Sequence, residues 1–540
     1  MVECSFEVIL MLSEQISEVL APIYKLRFRL VLVSALSVLV GLVPPYLMGV
    51  LIDDLNSPYS VQTYYIIGSI LGVIALYFLI DWYQSYMWRT TVTRGAGLVK
   101  DFLFENVLHK DHRFFIDHPV GDISNKILND SYLYSESKIK MKPTLILNIL
   151  HIVVVFIILK FINIPMALAA MFFSIFFFFI YTHINKYLRK TLTVEREKFS
   201  TMMNTANETL MGVDAIQLYS VEHYFASRFA KAVESYEKNL IKYGFYETLA
   251  KSITGALTGL IVITAVLVGL LFMLLGNVSI GGIVAFYIFL PRLSEPIKNL
   301  TDFNIVMQGS RAVEKRLEEM LYSEPKENAG LEKIDKIDSI ELRNVGFSYP
   351  DDNENVLKNI NLKLNRGQAL AITGVSGSGK TTLLKLLKRQ LVPTEGELLL
   401  NGKNYIEIDQ SSYFSRISVS AQDVFIFDAT LHDNICFGHD YPEKLVRDKA
   451  ILSVLEHFSL DTHAHGLSGG ERQRIGIARA LACEYDILIL DEPTSELDSE
   501  TEDKIIENLK QVLEDTNCIM IVVTHSAAVL EKLCSLHLKL

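Results

Sequence analysis

Gly374-Val-Ser-Gly-Ser-Gly-Lys380-Thr381 fits G-x-x-x-x-G-K-[ST], the loop whose backbone N–H groups wrap the phosphates of a nucleotide. In that reading Gly374, Ser376, Gly377, Ser378 and Gly379 shape the loop, and Lys380 bridges the β- and γ-phosphates. The Thr381 hydroxyl reaches Mg²⁺, and Thr382 completes the nucleotide set. Alone, this motif says only that the chain handles a nucleoside triphosphate. Two later stretches narrow it. One is Leu467-Ser468-Gly469-Gly470-Glu471; the other is Ile487-Leu-Ile-Leu490-Asp491-Glu492. The second has the unbroken apolar run of a parallel strand covered on both faces, and it ends in two carboxylates.

Taken in this order, the three motifs resemble the nucleotide-binding domain of ATP-binding cassette (ABC) proteins, in which the phosphate loop of one domain and the Ser-Gly-Gly signature of another close on one ATP. The resemblance implies that Asp491 partners Mg²⁺ and that Glu492 orients the attacking water, the positioning role phosphoryl transfer requires. Three further positions match the family. Tyr349, in Phe347-Ser-Tyr-Pro350, stands where an aromatic stacks on adenine; Gln422 stands where a glutamine contacts Mg²⁺; His525, after the apolar run Ile519–Val523, stands where a histidine holds the γ-phosphate. Ser495-Glu-Leu-Asp498 matches the family's D-loop, with Glu496 where a small residue is usual. Ser468, Gly469, Gly470, Glu471 and Asp498 would serve a nucleotide held by a second chain. The helix expected from Arg472 to Leu481 would aim its N-terminus at that γ-phosphate.

Composition points to a membrane. Half of the 540 residues are hydrophobic and the mean hydropathy is +0.28, too apolar for a soluble ATPase of this size. The apolar residues concentrate before Leu300, and six segments reach the roughly 20 residues a bilayer crossing needs. They are Leu30–Leu51, Tyr64–Tyr83, Leu145–Phe161, Ile164–Ile184, Ile253–Leu275 and Ile280–Leu300. The connections near Asp53–Val61, Lys160–Asn163 and Gly276–Ser279 carry almost no Lys or Arg. The opposite side holds Arg89, Arg94, Lys100, Lys110 and Lys126, with many more lysines between Lys186 and Lys251. The positive-inside rule therefore expects both termini and the ATPase in the cytoplasm. The net charge of −11 gives no argument for a nucleic-acid partner.

The long polar segments Gln84–Thr144 and Asn185–Ser252 are each expected to form two helices of about 28 residues, extending ~40 Å past the membrane. Their tips, near 111–123 and 207–218, resemble the coupling regions of type I ABC exporters. The expected organisation is a multi-domain membrane protein. An all-α six-helix transmembrane domain with long helical extensions spans 1–322, a linker spans 323–338, and an α/β ATP-binding cassette spans 339–540. A helix from Thr301 to Leu321 is expected to lead into the linker.

Several features depart from the family pattern. The residues before the first span read as an amphipathic surface helix without a signal peptide's cleavage site. Asp461-Thr-His-Ala-His465-Gly466 is shorter than the family's usual loop, and its two histidines form an i, i+2 pair with no third metal ligand in the pattern. The chain ends soon after His525, where the family usually continues. Cys4, Cys436, Cys483, Cys518 and Cys534 lack zinc-type spacing and read as free thiols. Asn148, His151, Asn163 and His183 are polar residues within or at the ends of spans, where such groups usually face the bundle interior.

The expected activity is ATP hydrolysis driving export, or leaflet-to-leaflet movement, of an amphipathic or hydrophobic molecule across a bacterial cytoplasmic membrane. The expected assembly is a dimer of half-transporters, with a homodimer favoured because no catalytic position is degenerate and a heterodimer as the alternative. Two other functions remain open on sequence: export of a ribosomal peptide such as a bacteriocin, or its self-immunity pump, and an ATP-gated channel or regulator that does not pump.

Overall fold

The computed structural model describes residues 16, 18–54, 61–110, 114–115, 118–322, 332–349, 355–375, 377–455 and 459–540. The chain divides into two compact units, with the boundary between Ser323 and Glu324.

The first unit is helical, because a segment in hydrocarbon must satisfy its own backbone polar groups. Among the described residues, five stretches are long and apolar enough to cross a bilayer: Ala21–Asp54, Val61–Leu108, Val120–Ile162, Ile164–Met211 and Ile280–Leu321. The remaining expected span, Ile253–Leu275, falls on the helix Glu222–Leu274, whose apolar end is Val262–Leu274. Leu71, Phe78, Phe172 and Phe179 point outward along these helices, as side chains surrounded by lipid would. The first span breaks at Leu42, just before Pro44-Pro45, into Ala21–Gly41 and Val43–Asp54. Glycines let it pack tightly: a Cβ on Gly281 would lie 1.9 Å from the Gly49 carbonyl oxygen, so only the two bare backbones fit. Asp53 locks the contact by accepting from the Ser279 hydroxyl (2.6 Å) and the Gly281 N–H (2.8 Å).

Both long polar segments are helical, and each is interrupted between its two halves. In the first, one helix ends at Leu108 and another covers Val120–Asn125, with a wide π turn over Lys126–Asp130. In the second, one helix ends at Met211, beside Gly212, and a short helix Val213–Leu218 precedes Glu222–Leu274. The last helix differs from expectation. It begins at Pro291 rather than Thr301, following Ile280–Phe289 after a single residue, because Pro291 fits the first turn of a helix and keeps the direction. Its side chains bind the neighbouring helix: Arg316 makes two 2.8 Å hydrogen bonds to the buried carboxylate of Asp130, and Lys138 pairs with Glu314 at 2.6 Å.

Among its described residues the second unit holds nine strands: β1 (Ser339–Phe347), β2 (Leu357–Asn365), β3 (Ala369–Thr373), β4 (Glu395–Leu400), β5 (Lys403–Asn404), β6 (Ile417–Ser420), β7 (Ile487–Asp491), β8 (Ile519–Val523) and β9 (Leu536–Lys539). An antiparallel sheet runs β2-β1-β4-β5, and a parallel one runs β6-β7-β8-β3-β9. β7 is buried along Ile487–Leu490, and β8 along its whole length, as central parallel strands require. Part of the expected linker belongs to this unit. From Glu332 onward it packs on the sheets: Glu332 bridges Ile408, Ile337 is fully buried, and its N–H donates to Asp486 at 2.9 Å. β9 was not foreseen in the sequence; it lies against β3, in register Leu536 with Leu370.

Candidate functional site

The parallel sheet assembles the site. All five of its strands point the same way, and the residues just past the C-terminal ends of four of them gather along one edge, where open α/β sheets bind ligands. β3 ends at Thr373 and leads to the phosphate loop; β8 ends at Val523 and leads to His525; β7 ends at Asp491 and leads to Glu492; β6 ends at Ser420 and leads to Gln422. Register pairs Asp491 at the end of β7 with Val523 at the end of β8, which brings the segments leading to Glu492 and His525 level.

In the phosphate loop, Gly377 (φ 81°) and Gly379 (φ 95°) take left-handed conformations. At Gly379 a Cβ would also lie 2.7 Å from Leu357, so glycine is required twice over. The helix Lys380–Leu387 follows directly, so its first N–H groups and partial positive charge face the loop. Thr381 is exposed there, and Thr382 is buried behind it, 3.3 Å from the Tyr349 hydroxyl. Tyr349 packs edge-on against Phe347. The Lys380 ammonium donates to the Gly374 carbonyl at 2.6 Å and to His525 Nε2 at 3.1 Å. Ser378 Oγ is buried and has no hydrogen-bond partner among the described residues, which fits a loop shaped for an anionic ligand. Ser376 lies outside the described residues.

Glu492 is the strained residue of the site. Its φ is +48°, uncommon for a side chain of this size, and its N–H is held by the Val523 carbonyl at 2.9 Å. Its carboxylate accepts from Gln422 Nε2 at 3.3 Å and stands 3.8 Å from His525 Nε2. Burial pushes the Asp491 carboxyl above its ordinary range; the Lys388 and Lys380 charges pull it back, while Glu492 adds to the rise. The Thr381 hydroxyl, the Gln422 amide and the Asp491 carboxylate are oxygen donors, the hard set that suits Mg²⁺.

The signature forms a second group. Ser468 caps its helix in a reciprocal capping box: Ser468 Oγ accepts from Glu471 N–H, and Glu471 accepts from Ser468 N–H at 2.8 Å. The helix therefore runs Gly469–Ala482, three residues earlier than the expected start at Arg472, because the cap lies at Ser468. A Cβ on Gly469 would meet the Glu496 carboxylate, and one on Gly470 would lie 2.8 Å from the Glu496 carbonyl oxygen. Asp498 caps the helix Ser499–Thr516 through the N–H groups of Glu500 and Thr501, which hold its carboxyl below the ordinary range.

Gln473 was missed in the sequence. Its buried amide donates to the Glu492 carbonyl at 3.0 Å and to Ser495 Oγ at 2.6 Å, and accepts from Glu496 N–H at 3.2 Å. It ties the signature helix to Glu492, and its only sequence signal is its place in the second turn of that helix. The loop histidines also differ from expectation. A third potential ligand, Asp428, lies with His463 and His465, all three ligand atoms within 4.8 Å of one another. Of the span residues, Asn163 caps the helix Ile164–Met211 through Met166 N–H, Asn148 accepts from Asn299 at 3.5 Å, and His151 Nε2 is buried without a partner among the described residues. The four cysteines within the described residues are free, as expected; Cys4 lies outside them.

Comparison with known proteins gives the same order of parts. A family model described as ABC transporter transmembrane region matches residues 28–297, and one described as ABC transporter matches residues 357–495. The chain is 30% identical over 542 residues to the uncharacterized ABC transporter ATP-binding protein YknV of Bacillus subtilis (strain 168), covering 94% of this chain and 87% of that one. It is 26% identical to the putative multidrug export ATP-binding/permease protein YgaD of the same organism, over 93% of this chain and 90% of that one. It is 28% identical to the ATP-dependent lipid A-core flippase of Desulfotalea psychrophila (strain LSv54 / DSM 12343), over 94% of this chain and 90% of that one. A solved structure of a bacterial Atm1-family ABC exporter with ATP bound shares the fold, with a TM-score of 0.78 at 20% identity, covering 95% of this chain and 93% of that one. A helical membrane region and an α/β ATP-binding domain that hydrolyses ATP to drive transport are thus fused in one polypeptide, and the chain belongs to the ABC transporter family.

Proposed function

We propose that the chain is a half-transporter that pairs with a second copy and uses ATP to move an amphipathic or hydrophobic molecule outward, or between leaflets, across the cytoplasmic membrane. The observation that carries this reading is the convergence of Lys380, Gln422, Glu492 and His525 at one sheet edge, in a chain whose other unit is apolar and helical. The names of the relatives, a multidrug export protein and a lipid A-core flippase, support an amphipathic cargo.

In this reading the amides of Gly374–Gly379 and Lys380 hold the phosphates, and Tyr349 receives the adenine. Thr381, Gln422 and Asp491 hold Mg²⁺, which would neutralise phosphate charge. Glu492 orients the water, held in place by its contacts with Gln422 and His525. Ser468, Gly469, Gly470 and Glu471, with Asp498, are contributed by the second copy, so that ATP joins the two chains and hydrolysis releases them. A homodimer with two working sites is the simpler assembly. Both termini face the cytoplasm, as the lysine and arginine distribution supports.

Inside-out vesicles from expressing cells should take up a lipophilic fluorescent amine when ATP is added. Glu492→Gln should still bind ATP while hydrolysis and uptake fall by about a hundredfold or more, since the substitution removes the group that positions water. Uptake by the Glu492→Gln protein at the wild-type rate would remove the assignment, and wild-type hydrolysis without movement of any lipid or dye would favour a regulator.

A further inference from the structure

Asp428, His463 and His465 form a built cluster. Ala464 N–H donates to the Ala429 carbonyl at 3.0 Å, and Leu431 N–H to the Thr462 carbonyl at 2.8 Å, so Thr430 and His463 meet in an antiparallel bridge. That pairing holds the His463 segment extended. In an extended segment residues i and i+2 share a face, so His463 and His465 project together. Their rings lie nearly parallel (9°) with centroids 5.5 Å apart. Across from them, Asp428 Oδ1 stands 2.8 Å from His465 Nε2 and 3.7 Å from His463 Nδ1. Ligand atoms around a tetrahedral Zn²⁺ are separated by roughly 3.3 Å, as bond lengths of about 2.0–2.1 Å require, so these two distances bracket the needed spacing.

We propose that these three side chains bind one divalent transition-metal ion of the Zn²⁺ class. The two imidazoles supply nitrogen donors and Asp428 an anionic oxygen, a set that suits Zn²⁺ over Mg²⁺ or Ca²⁺. All three side chains are exposed, which leaves a coordination position for water. A bound ion would fasten the segment that follows Gln422 to the segment that precedes Ser468. It would thus brace the entry to the signature helix, beside a small cavity lined by Leu431, Leu467 and Ile475. The site uses none of the nucleotide-binding residues, so it stands independently of the proposed transport reading.

The test uses full-length protein in detergent, without affinity tag or nucleotide. It is titrated with Co²⁺, read by visible absorption, and with Zn²⁺ in competition with a chromophoric chelator. One equivalent per chain is expected, and added Zn²⁺ should raise the thermal unfolding temperature. His463→Asn, His465→Asn and Asp428→Asn should each weaken binding by roughly tenfold or more, the loss even a supporting group causes. His439→Asn, outside the cluster, should bind as wild type. Three replacements of exposed residues keep the test open if one of them fails to fold. Absence of a metal equivalent in the wild type, binding unchanged in the cluster variants, or binding lost in His439→Asn would each overturn the proposal.

Discussion

At Gly469 and Gly470 the signature is packed against the Ser495–Asp498 turn so closely that a methyl group at either position meets Glu496. The two collisions differ in kind. At Gly469 the obstacle is the end of a flexible carboxylate side chain, which can swing into solvent. At Gly470 it is the Glu496 backbone oxygen at 2.8 Å and Leu497 at 3.0 Å, so the turn itself must shift. Gly470→Ala should therefore cost about 1–3 kcal/mol of stability, partly offset by alanine's better helix propensity. Gly469→Ala should cost little. Thermal unfolding of the two variants checks this, and an equal loss in both would contradict the packing. Ser468 and Asp498 also act locally, as helix caps, so a structural effect accompanies any change there.

At the scale of elements, the helices of the first unit are joined by polar contacts as well as by apolar packing. The Asp130 side chain is 4% exposed, and its carboxylate is held by both Nε and an Nη nitrogen of Arg316. Truncation of Arg316 leaves a buried charge without its principal partner, a loss of about 3 kcal/mol. Arg316→Ala should accordingly lower the unfolding temperature clearly. Arg316→Lys should fall between the two, since an ammonium keeps the charge but loses the two-pronged geometry. If Arg316→Ala unfolded with the wild type, this pair would contribute nothing to joining the two helices. The hairpin tips were legible in the sequence because Gly212 and Pro119 punctuate otherwise helical stretches. The start of the last helix at Pro291 was not, because a proline reads equally as a break or as a first-turn residue.

For the whole molecule, two expectations concern what surrounds it. Cysteine placed at Asn277, in the exposed turn after Leu274, should react with a membrane-impermeant reagent on intact cells, whereas cysteine at the exposed tip residue Asp214 should not. The reverse pattern would invert the orientation. Lys126 is a poor probe for the same purpose, since it is buried and paired with Asp122 at 2.8 Å. The second expectation is that ATP sites are shared between copies. Lys380→Ala and Ser468→Arg, each inactive alone, should recover measurable ATPase when co-expressed, because a mixed dimer confines both lesions to one site. No recovery, with mixed dimers shown by pull-down, would count against sites built from two copies.

The sequence by itself determined the two-part organisation, the six apolar segments and the polar residues that follow the parallel strands. Those signals are local: a run of apolar residues, a glycine-rich loop, a strand ending in carboxylates. Each is set by the chemistry of adjacent positions and survives without knowledge of the fold. Tertiary structure alone decided what brings distant segments together. Gln473 joins the signature helix to Glu492, β9 closes the sheet against β3, and Asp428 meets two histidines in a loop that the sequence showed as a pair. It also decided that Glu332–Asp338 packs on the sheets rather than acting as a linker, because Ile337 finds a core there. Such contacts depend on strand order and crossover, and no local pattern encodes which strands become neighbours.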